Sequence, residues 1–381
     1  MKEEVYCIKP WVHLHVNTRG MAQACCISNI NYGNLNEQSI DDIWNGNAIE
    51  NIRQKFKTGT PHKRCGACIS REKAGHPSLR TETNLKYGSR VPENFDSPIY
   101  WDIRFSNVCN FKCRTCWHGN SSKWFEDSLI LKNNASDKAI IKAFTNEEVF
   151  FNAWSKNINQ YKELYFAGGE PLVTEEHYKM LLLLIENGRT DIQLKYNTNL
   201  SVLDFKKYDL LELWKRFENL TIDISIDHIK EKGEYIRKGL DWQLFLKNFK
   251  RIKKDLPQAK IKITPTVSSF NILYIGSIHQ FFVDENLTLI DEIELNILDR
   301  PNFYNIQSLS DALKKEAAKN LNQHLEYLSE NKASEKTKAA FLSLKEYLHS
   351  DQRSTKGFEK YNNKLDELRK ENYKTTFPEL S

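Results

Sequence analysis

The sequence places three cysteines within eight residues, at Cys109, Cys113 and Cys116. Three thiolates in this C-x3-C-x2-C loop can hold three irons of a cubane iron–sulfur cluster and leave the fourth iron open to a substrate or cosubstrate. A structural zinc site needs four protein ligands, and His118 is the nearby residue that could supply the fourth. We therefore predict an open iron–sulfur cluster at this loop, with a partial zinc knuckle as the alternative.

A glycine-rich turn is the second feature that could take part in chemistry. Gly168 and Gly169 follow a strand-like run, and glycines at a strand end let the backbone approach a ligand closely. Glu170 adds a carboxylate that can bind an ammonium group. A Gly-Gly turn on its own is usually only a turn. Here a ligand-binding role is favoured, because this turn and the cysteine loop each follow a predicted strand.

A third set of polar residues lies at the end of the predicted fourth strand. Ser225 and Asp227 belong to this strand end, and Arg237 follows further along the chain. Short polar side chains at a strand end can reach a sugar hydroxyl, and a guanidinium can bind a carboxylate through two parallel hydrogen bonds. A surface arginine and a helix-capping aspartate are the alternative interpretation.

The remaining five cysteines lie near the amino terminus, at Cys7, Cys25, Cys26, Cys65 and Cys68. Four thiolates are enough for a closed iron–sulfur or zinc site, and spacing alone does not distinguish the two metals. All 8 cysteines precede residue 117, whereas a disulfide scaffold would be spread through the fold that it stabilises. The distribution therefore predicts metal binding rather than disulfides.

Alternating strand-like and helix-like patterns must position these residues. We predict six strands, over residues 99–105, 163–167, 191–196, 220–226, 260–267 and 292–297. They are separated by amphipathic stretches, each long enough to cross back over a sheet, near residues 146–157, 174–188, 204–217, 241–255 and 271–283. These units predict an α/β fold, a partial (β/α)6 TIM-type barrel whose ligands collect at the carboxyl ends of the strands.

The patterns also predict three domains. Residues 1–90 form a small cysteine-rich α+β module, residues 91–302 form the partial barrel, and residues 303–381 form a helical region. In this last region leucines recur at near-helical spacing among charged residues. We interpret it as packing helices rather than as a partner-binding arm.

The cysteine loop, its place after a strand and the 168–170 turn together resemble the radical S-adenosylmethionine (SAM) superfamily. The resemblance implies that Cys109, Cys113 and Cys116 bind a 4Fe–4S cluster, and that SAM chelates the fourth iron through its amino and carboxylate groups. In this family an aromatic residue usually precedes the third cysteine, where this chain has Thr115.

The same resemblance implies how the rest of SAM is bound. The turn of Gly168, Gly169 and Glu170 receives the amino group. Ser225 and Asp227 approach the ribose, and Arg237 pairs with the carboxylate.

The amino-terminal cysteines resemble the auxiliary-cluster module called SPASM, or its shorter form, twitch. The signature includes a first cysteine, a Gly-x4-Cys, a Gly-Asn-Leu stretch with a following Ile-Trp-Asn, and a cysteine pair. By that register Cys7, Cys25, Cys65 and Cys68 are the ligands and Cys26 is a spare or a substitute. The resemblance implies one closed auxiliary iron–sulfur cluster, of the 4Fe–4S type, in a module that precedes the barrel instead of following it.

The resemblance implies reductive cleavage of SAM to a 5'-deoxyadenosyl radical that abstracts hydrogen from a substrate, with an external electron donor such as a flavodoxin or ferredoxin. We favour a peptide or protein side chain as the substrate. The second interpretation is a sugar or nucleotide dehydrogenase or cyclase. An interpretation of another class is a zinc-binding structural protein without catalytic activity.

Composition and charge bear on the partners and the location of the protein. The 55 basic and 50 acidic residues give a net charge of +5, which neither requires nor excludes an anionic partner. No basic face interleaved with aromatic residues is evident, so we expect no nucleic-acid partner. The sequence contains no apolar run of membrane-spanning length and no basic-then-apolar leader, so we expect no membrane partner and a cytoplasmic location.

Overall fold

The computed structural model describes residues 5–73, 78–88, 96–132 and 135–381. The predicted domain boundary between residues 90 and 91 lies outside the described residues. The chain divides into two compact units. Unit 1 comprises Met1–Val108, Ile140–Tyr196 and Lys206–Leu220, and unit 2 comprises Cys109–Ala139, Asn197–Phe205 and Thr221–Ser381.

The strands are short and mostly parallel. In chain order, β1 to β6 are His13–Val16, Met21–Gln23, Asn31–Asn34, Tyr100–Ile103, Glu163–Phe166 and Gln193–Thr198. The next six, β7 to β12, are Asp204–Phe205, Tyr208–Asp209, Asn219–Ile224, Lys260–Ile263, Thr266–Val267 and Asn296–Ile297. Each of the six segments predicted as barrel strands contains a strand, but residues 260–267 are divided between β10 and β11, and residues 292–297 contain only the two-residue β12. The α/β fold class is confirmed.

Helices connect and cover the strands. The helices α1 to α8 are Lys9–Val12, Ile40–Trp44, Asn47–Lys57, Gly66–Lys73, Leu79–Tyr87, Phe125–Leu131, Glu147–Ser155 and Glu175–Glu186. The helices α9 to α16 are Leu210–Trp214, Lys230–Ile236, Trp242–Asp255, Ile275–Asp284, Asp311–Glu330, Glu335–Ser350, Phe358–Arg369 and Tyr373–Thr376. No helix in the described ranges is long and apolar enough to cross a membrane.

In unit 1, β4, β5 and β6 pair in parallel. The amino-terminal strand β1 joins them, parallel to β4, and β2 and β3 extend that edge in antiparallel pairing. Side chains alternate between the two faces of these strands. One face is apolar and buried, with Trp101 against Phe150 and Tyr161. The other face carries polar side chains, and along β6 these are only half-buried.

In unit 2, β9 and β10 pair in parallel and β11 pairs in parallel with β12. The carboxyl-terminal helices α13 and α14 pack through an apolar cluster that includes Leu321, Phe341 and Leu344. This arrangement agrees with the interpretation of the last region as packing helices. A second aromatic cluster joins Tyr235 and Phe270 to Tyr373 and Phe377 near the end of the chain.

One predicted crossover helix is much shorter than expected. The stretch 204–217 contains the two-residue strands β7 and β8 before α9 begins at Leu210. The turn between those strands places Lys206 at φ +53°, and the Asp209 side chain then caps the helix by accepting a hydrogen bond from the amide of Glu212. A left-handed residue and an internal cap interrupt the helix that the amphipathic pattern predicts.

Candidate functional site

The three-cysteine loop follows β4 and is shaped by hydrogen bonds within the loop. The amide of Cys116 donates to the carbonyl of Cys113 at 3.0 Å, which closes a tight turn between these two ligand positions. The amide of Phe111 lies 3.4 Å from the Cys109 sulfur and donates to it. All eight cysteines are within the described residues, and no disulfide joins any of them.

A facing segment after α10 holds the loop in place. The amide of Lys112 donates to the carbonyl of Lys238 at 2.8 Å, and the amide of Arg114 donates to the carbonyl of Ile236 at 2.7 Å. Gly239 has φ +111°, and a Cβ there would lie 2.9 Å from the ring of Phe111. A residue with a side chain would be strained and would clash, so glycine is required for this close approach.

The facing segment brings Arg237 to the cysteine loop. Its Nη1 lies 4.0 Å from the Cys113 sulfur and donates to it. Its Nη2 donates to Oδ1 of Asp227 at 3.0 Å, and its Nε lies 2.9 Å from Oδ2 of the same carboxylate. Asp227 is fully buried, and its Oδ1 also accepts the amide of Thr266 at 2.8 Å. In this structure Asp227 therefore holds Arg237 beside a cysteine of the loop.

The electrostatics of the loop favour a bound cation. Burial raises the pKa of the Cys113 thiol, while the positive charge of Arg237 lowers it. Burial also raises the pKa of the Cys116 thiol, to about 12. A buried thiolate is stabilised by a metal ion or by a neighbouring cation. Two such cations, Arg237 and Arg369, lie near these thiols, and the rest of the compensation is left to the group that the thiols bind.

Arg114, within the loop itself, is anchored to the carboxyl-terminal segment. Its side chain is fully buried and forms ion pairs with Asp366 and with Glu371, the latter at 2.7 Å. It also donates to Oδ1 of Asn362 at 3.1 Å. Its guanidinium carbon lies 3.7 Å from the centre of the Tyr235 ring. Four groups therefore fix the backbone between the second and third cysteines.

A second anchor supports the same loop. The indole nitrogen of Trp124 donates to the carbonyl of Cys113 at 2.9 Å. The guanidinium carbon of Arg369 lies 4.4 Å from the centre of that indole ring, and its Nε contacts Asp127 at 2.8 Å. Sequence patterns gave no indication that α15 reaches the cysteine loop, because the contact joins residues that are far apart in the chain.

The glycine-rich turn, in unit 1, packs directly on the segment that leads into the loop. The amide of Glu170 donates to the carbonyl of Val108 at 2.8 Å. A Cβ on Gly169 would lie 2.0 Å from that carbonyl oxygen, so only glycine fits there. Gly168 has φ +124°. Glu170 is buried, and its Oε1 accepts the amide of Leu172 at 3.2 Å.

The end of β9 lies in a polar network of unit 2. The Ser225 hydroxyl is hydrogen-bonded to Oδ1 of Asn197. Nearby in the chain, Asn199 donates to Oδ1 of Asn110 at 2.9 Å, and Asn110 donates to the Ser201 hydroxyl at 2.7 Å. Asn110 belongs to the cysteine loop, so the structure brings the end of β6 to that loop. Asn110 and Ser201 were not identified from the sequence.

The decisive comparison concerns this region. A family model described as the radical SAM superfamily matches residues 103–268. The chain therefore contains a radical SAM domain. The matched range contains the cysteine loop, the glycine-rich turn and the Ser225 to Arg237 segment. The cofactors of this radical SAM protein are accordingly SAM and a 4Fe–4S cluster.

A second family model, described as an iron–sulfur cluster-binding domain and named SPASM, matches residues 7–69. It begins at Cys7 and ends just after Cys68. The auxiliary iron–sulfur domain expected at the amino terminus is therefore confirmed.

Individual proteins resemble parts of this radical SAM protein. A GTP 3',8-cyclase from Campylobacter lari is 30% identical over 132 residues, which is 35% of either chain. The structure of native anSMEcpe with bound AdoMet is 18% identical, with a TM-score of 0.44 over 66% of this chain and 62% of the other. SuiB of Streptococcus suis bound to the precursor peptide SuiA is 15% identical, with a TM-score of 0.43 over 75% and 60%. The chain thus spans about a third of the curated relative and three fifths of the solved chains.

The auxiliary cysteines form one electrostatic group. The pKa of Cys7 is raised to about 12, by burial first and to a smaller extent by Cys25 and Cys65, while Lys9 lowers it. The pKa of Cys65 is raised to about 11 by burial first, and then by Cys25 and Cys68. These effects link Cys7 with Cys25 and Cys65, and Cys65 with Cys68.

Cys26 lies in different surroundings. The charged groups that act on its thiol include Asp102 and Arg104 of the β4 region, in addition to the adjacent Cys25. Cys25, by contrast, acts on the thiols of both Cys7 and Cys65.

Both cysteine sets fit the groups that the family implies. In the described part of the chain, no three His, Cys, Asp or Glu side chains are already arranged as a metal site. The fit rests on the donors themselves. Three thiols on a loop that hydrogen bonds hold in place can bind three irons. Four thiols can bind all four irons of a second cluster. The amide and guanidinium donors to the Cys109 and Cys113 sulfurs are of the kind that tune iron–sulfur clusters.

Proposed function

We propose that this protein is an enzyme that reductively cleaves SAM and uses the resulting radical to modify a peptide or protein side chain. The observation that supports this most strongly is that Cys109, Cys113 and Cys116 lie within the matched radical SAM region, on a loop that backbone hydrogen bonds hold in place. When bound, the cluster supplies one electron to SAM, which splits into methionine and a 5'-deoxyadenosyl radical that abstracts a hydrogen atom. The chain's part is to orient SAM and to exclude water.

We also propose a role for each of the SAM-binding residues. We assign the SAM amino group to the turn of residues 168–170, whose backbone permits close approach. Ser225, at the end of β9, is assigned to the ribose with Asp227. Arg237 is assigned to the SAM carboxylate, because a guanidinium has five N–H donors and the contacts within the described part of the chain use three.

The auxiliary cluster is assigned to Cys7, Cys25, Cys65 and Cys68. Four thiolates leave no open iron, so this cluster serves electron transfer or structural support rather than substrate binding. Residues 1–90 form its domain in this proposal, followed by the radical SAM domain over residues 91–302 and the helical region over residues 303–381.

The SPASM match supports a peptide or protein substrate, since enzymes with this module often act on peptides. The second candidate is a radical cyclase or dehydrogenase that acts on a nucleotide or sugar. It is favoured by the 30% identity to a GTP 3',8-cyclase over 132 residues. Under either proposal the enzyme works in the cytoplasm with a flavodoxin-like or ferredoxin-like electron donor.

Product analysis tests the proposal. Anaerobically purified, dithionite-reduced protein is incubated with SAM, and 5'-deoxyadenosine is measured by chromatography. Wild-type protein is expected to form it. Cys113→Ala should form none, because one of the three cluster ligands is lost. Ser343→Ala, which lies on α14 away from the loop, is the matched control and should behave as wild type. Zinc-containing wild-type protein that leaves SAM intact would contradict the proposal.

A further inference from the structure

Arg369, at the end of α15, is a buried arginine that leaves most of its hydrogen-bonding capacity unused. Its side chain is 0% exposed, and its Nε contacts Oδ2 of Asp127 at 2.8 Å. Among the residues that the structure describes, neither Nη1 nor Nη2 of Arg369 has a hydrogen-bond partner. A buried charged group normally has its donors satisfied, because an unpaired one is costly away from water. The unused donors therefore indicate an anionic group that the protein binds nearby.

The guanidinium of Arg369 lies beside the cysteine loop, in the same unit. Its carbon is 4.4 Å from the centre of the Trp124 ring, and the indole nitrogen of that residue donates to the carbonyl of Cys113 at 2.9 Å. One aromatic side chain thus contacts both Arg369 and the backbone of a cluster ligand. Burial raises the pKa of the Cys113 and Cys116 thiols, and the positive charges of Arg237 and Arg369 lower it. The charge of Arg369 therefore acts on two of the three ligand positions.

The ion pairs around Arg369 balance its charge only in part. Asp127 is the carboxylate that Arg369 contacts, and its Oδ1 also lies 3.0 Å from Nζ of Lys112. Two cations therefore share one carboxylate. Arg237 differs, because Asp227 holds it through both carboxylate oxygens. Of the two arginines that act on the thiols, Arg369 is thus the one that shares its carboxylate with another cation.

A purely structural role for Arg369 would look different. Arg114, in the same unit, shows what a buried anchoring arginine does with its donors. Its guanidinium pairs with Asp366 and Glu371 and donates to the side-chain oxygen of Asn362. Arg369 makes one ion pair and leaves both terminal nitrogens without a hydrogen bond in the described part of the chain. Anchoring of α15 therefore explains only part of its placement.

We propose that Arg369 tunes the SAM-binding cluster: its positive charge stabilises the reduced cluster on Cys109, Cys113 and Cys116 and so raises the midpoint potential. Reduction adds one electron from the external donor and forms or breaks no bond. The loop then carries one more negative charge, which a nearby buried cation favours. The inference rests on the proposed function. It assigns control of the first step to α15, which lies outside the matched residues 103–268.

Redox titration of the full-length protein, with its clusters, tests this inference. The paramagnetic resonance signal that SAM perturbs is followed as the potential is varied, which gives the midpoint potential of the SAM-binding cluster. Arg369→Gln removes the charge and keeps a hydrogen-bonding side chain. It should lower the equilibrium constant for one-electron reduction about tenfold, the low end of what one nearby charge does to an ionisation equilibrium. For one electron this is a fall of about 59 mV.

Three further variants complete the test. Arg369→Lys keeps the charge, and its potential should stay closer to that of wild type than to that of Arg369→Gln. Asp127→Asn removes the carboxylate that partly balances Arg369, so its potential should rise, and it decides the matter if Arg369→Gln fails to fold. A structural disturbance of the loop would not produce shifts of opposite sign in these two variants. The control is Lys374→Gln, which removes an exposed lysine that pairs with Glu359 of α15 at 2.9 Å and should leave the potential unchanged.

Equal midpoint potentials in wild-type protein and in folded Arg369→Gln would overturn the inference, as would an unchanged or lowered potential in Asp127→Asn. Formation of 5'-deoxyadenosine is measured on the same wild-type sample. If wild-type protein cleaves SAM and the potentials do not differ, the inference fails alone. If wild-type protein has no iron signal that SAM perturbs, the proposed function fails and the inference fails with it.

Discussion

Replacing Arg114 by methionine should destabilise the cysteine loop more than any exposed substitution would. The Arg114 side chain is 0% exposed, and its partners Asp366 and Glu371 have side chains that are 8% and 12% exposed. Methionine is close in length but carries no charge and no donors. The substitution therefore leaves the buried Asp366 and the Asn362 amide oxygen without their guanidinium partner.

The expected loss follows from this burial. Removing one partner of a buried ion pair costs about 3–5 kcal/mol. The free energy of unfolding of a folded domain is about 5–15 kcal/mol, so the variant should keep only part of its stability. Glu371 retains Lys238 at 2.9 Å, which limits the damage on that side. Arg114→Lys keeps the positive charge but not the planar guanidinium with its several donors, and its free energy of unfolding should fall by less.

Urea unfolding followed by circular dichroism measures the effect, and iron analysis of the purified variant gives a second readout. Because Arg114 lies between two cysteines of the loop, Arg114→Met should also lose iron from the SAM-binding cluster. The control is Lys338→Met on α14, whose pair with the exposed Glu335 is worth about 1 kcal/mol or less. A loss for Arg114→Met as small as that of the control, with full iron content, would refute the anchoring role.

Three other predictions follow from the site. Cys113→Ala should lose the SAM-responsive cluster and keep auxiliary iron, whereas Cys65→Ala should lose auxiliary iron; equal iron loss in both would contradict two separate sites. Gly169→Ala should abolish SAM cleavage because its Cβ would overlap the carbonyl of Val108, and retained activity would show that the turn can move. Burial lowers the pKa of His177 to about 3, below the unfolded value of 6.5, so its contribution to stability is complete above pH 6.5 and is lost as the pH falls. In His177→Gln, the free energy of unfolding measured in urea should depend less on pH between pH 6.5 and 5, with a slope lower by up to about 1.4 kcal/mol per pH unit. An unchanged slope would contradict a neutral buried imidazole.

Local patterns in the sequence were sufficient for the central strands β4, β5, β6 and β9 and for the cysteine loop, but not for β1, β2 and β3. The segment 163–167 was predicted as a strand from its residue types, and Glu163–Phe166 is one in the structure. Strand identity is encoded locally, because a buried parallel strand needs a short run of large apolar residues. The cysteine spacing is likewise a property of one short segment. Such features can be found without knowing what packs against them.

The anchors of the loop could not be found in the same way. Arg114 contacts Asp366, which lies 252 residues further along the chain. No local period records such a contact, and α15 by itself resembles an ordinary amphipathic helix. The pairing of the loop with Ile236 and Lys238 is equally non-local. Only the assembled fold shows that the cysteine loop is held from two sides.

The polar face of β6 had a signal that the sequence analysis did not use. Along Gln193–Thr198 the residues alternate between half-buried and buried, with Lys195 and Asn197 on the half-buried side. A strand buried on both faces would read as a nearly continuous apolar run. Polar residues at alternate positions of a central strand thus indicate that one of its faces is less buried than the other.

The central claim is an open 4Fe–4S cluster on the loop of Cys109, Cys113 and Cys116 beside a closed one on the amino-terminal cysteines. The most direct test is metal analysis with an electron paramagnetic resonance spectrum of anaerobically purified, dithionite-reduced protein, recorded before and after SAM is added. We predict about eight irons per chain, four for each cubane cluster, and a reduced-cluster signal that SAM perturbs. Zinc without iron after anaerobic reconstitution, or an iron signal that SAM leaves unchanged, would contradict the account.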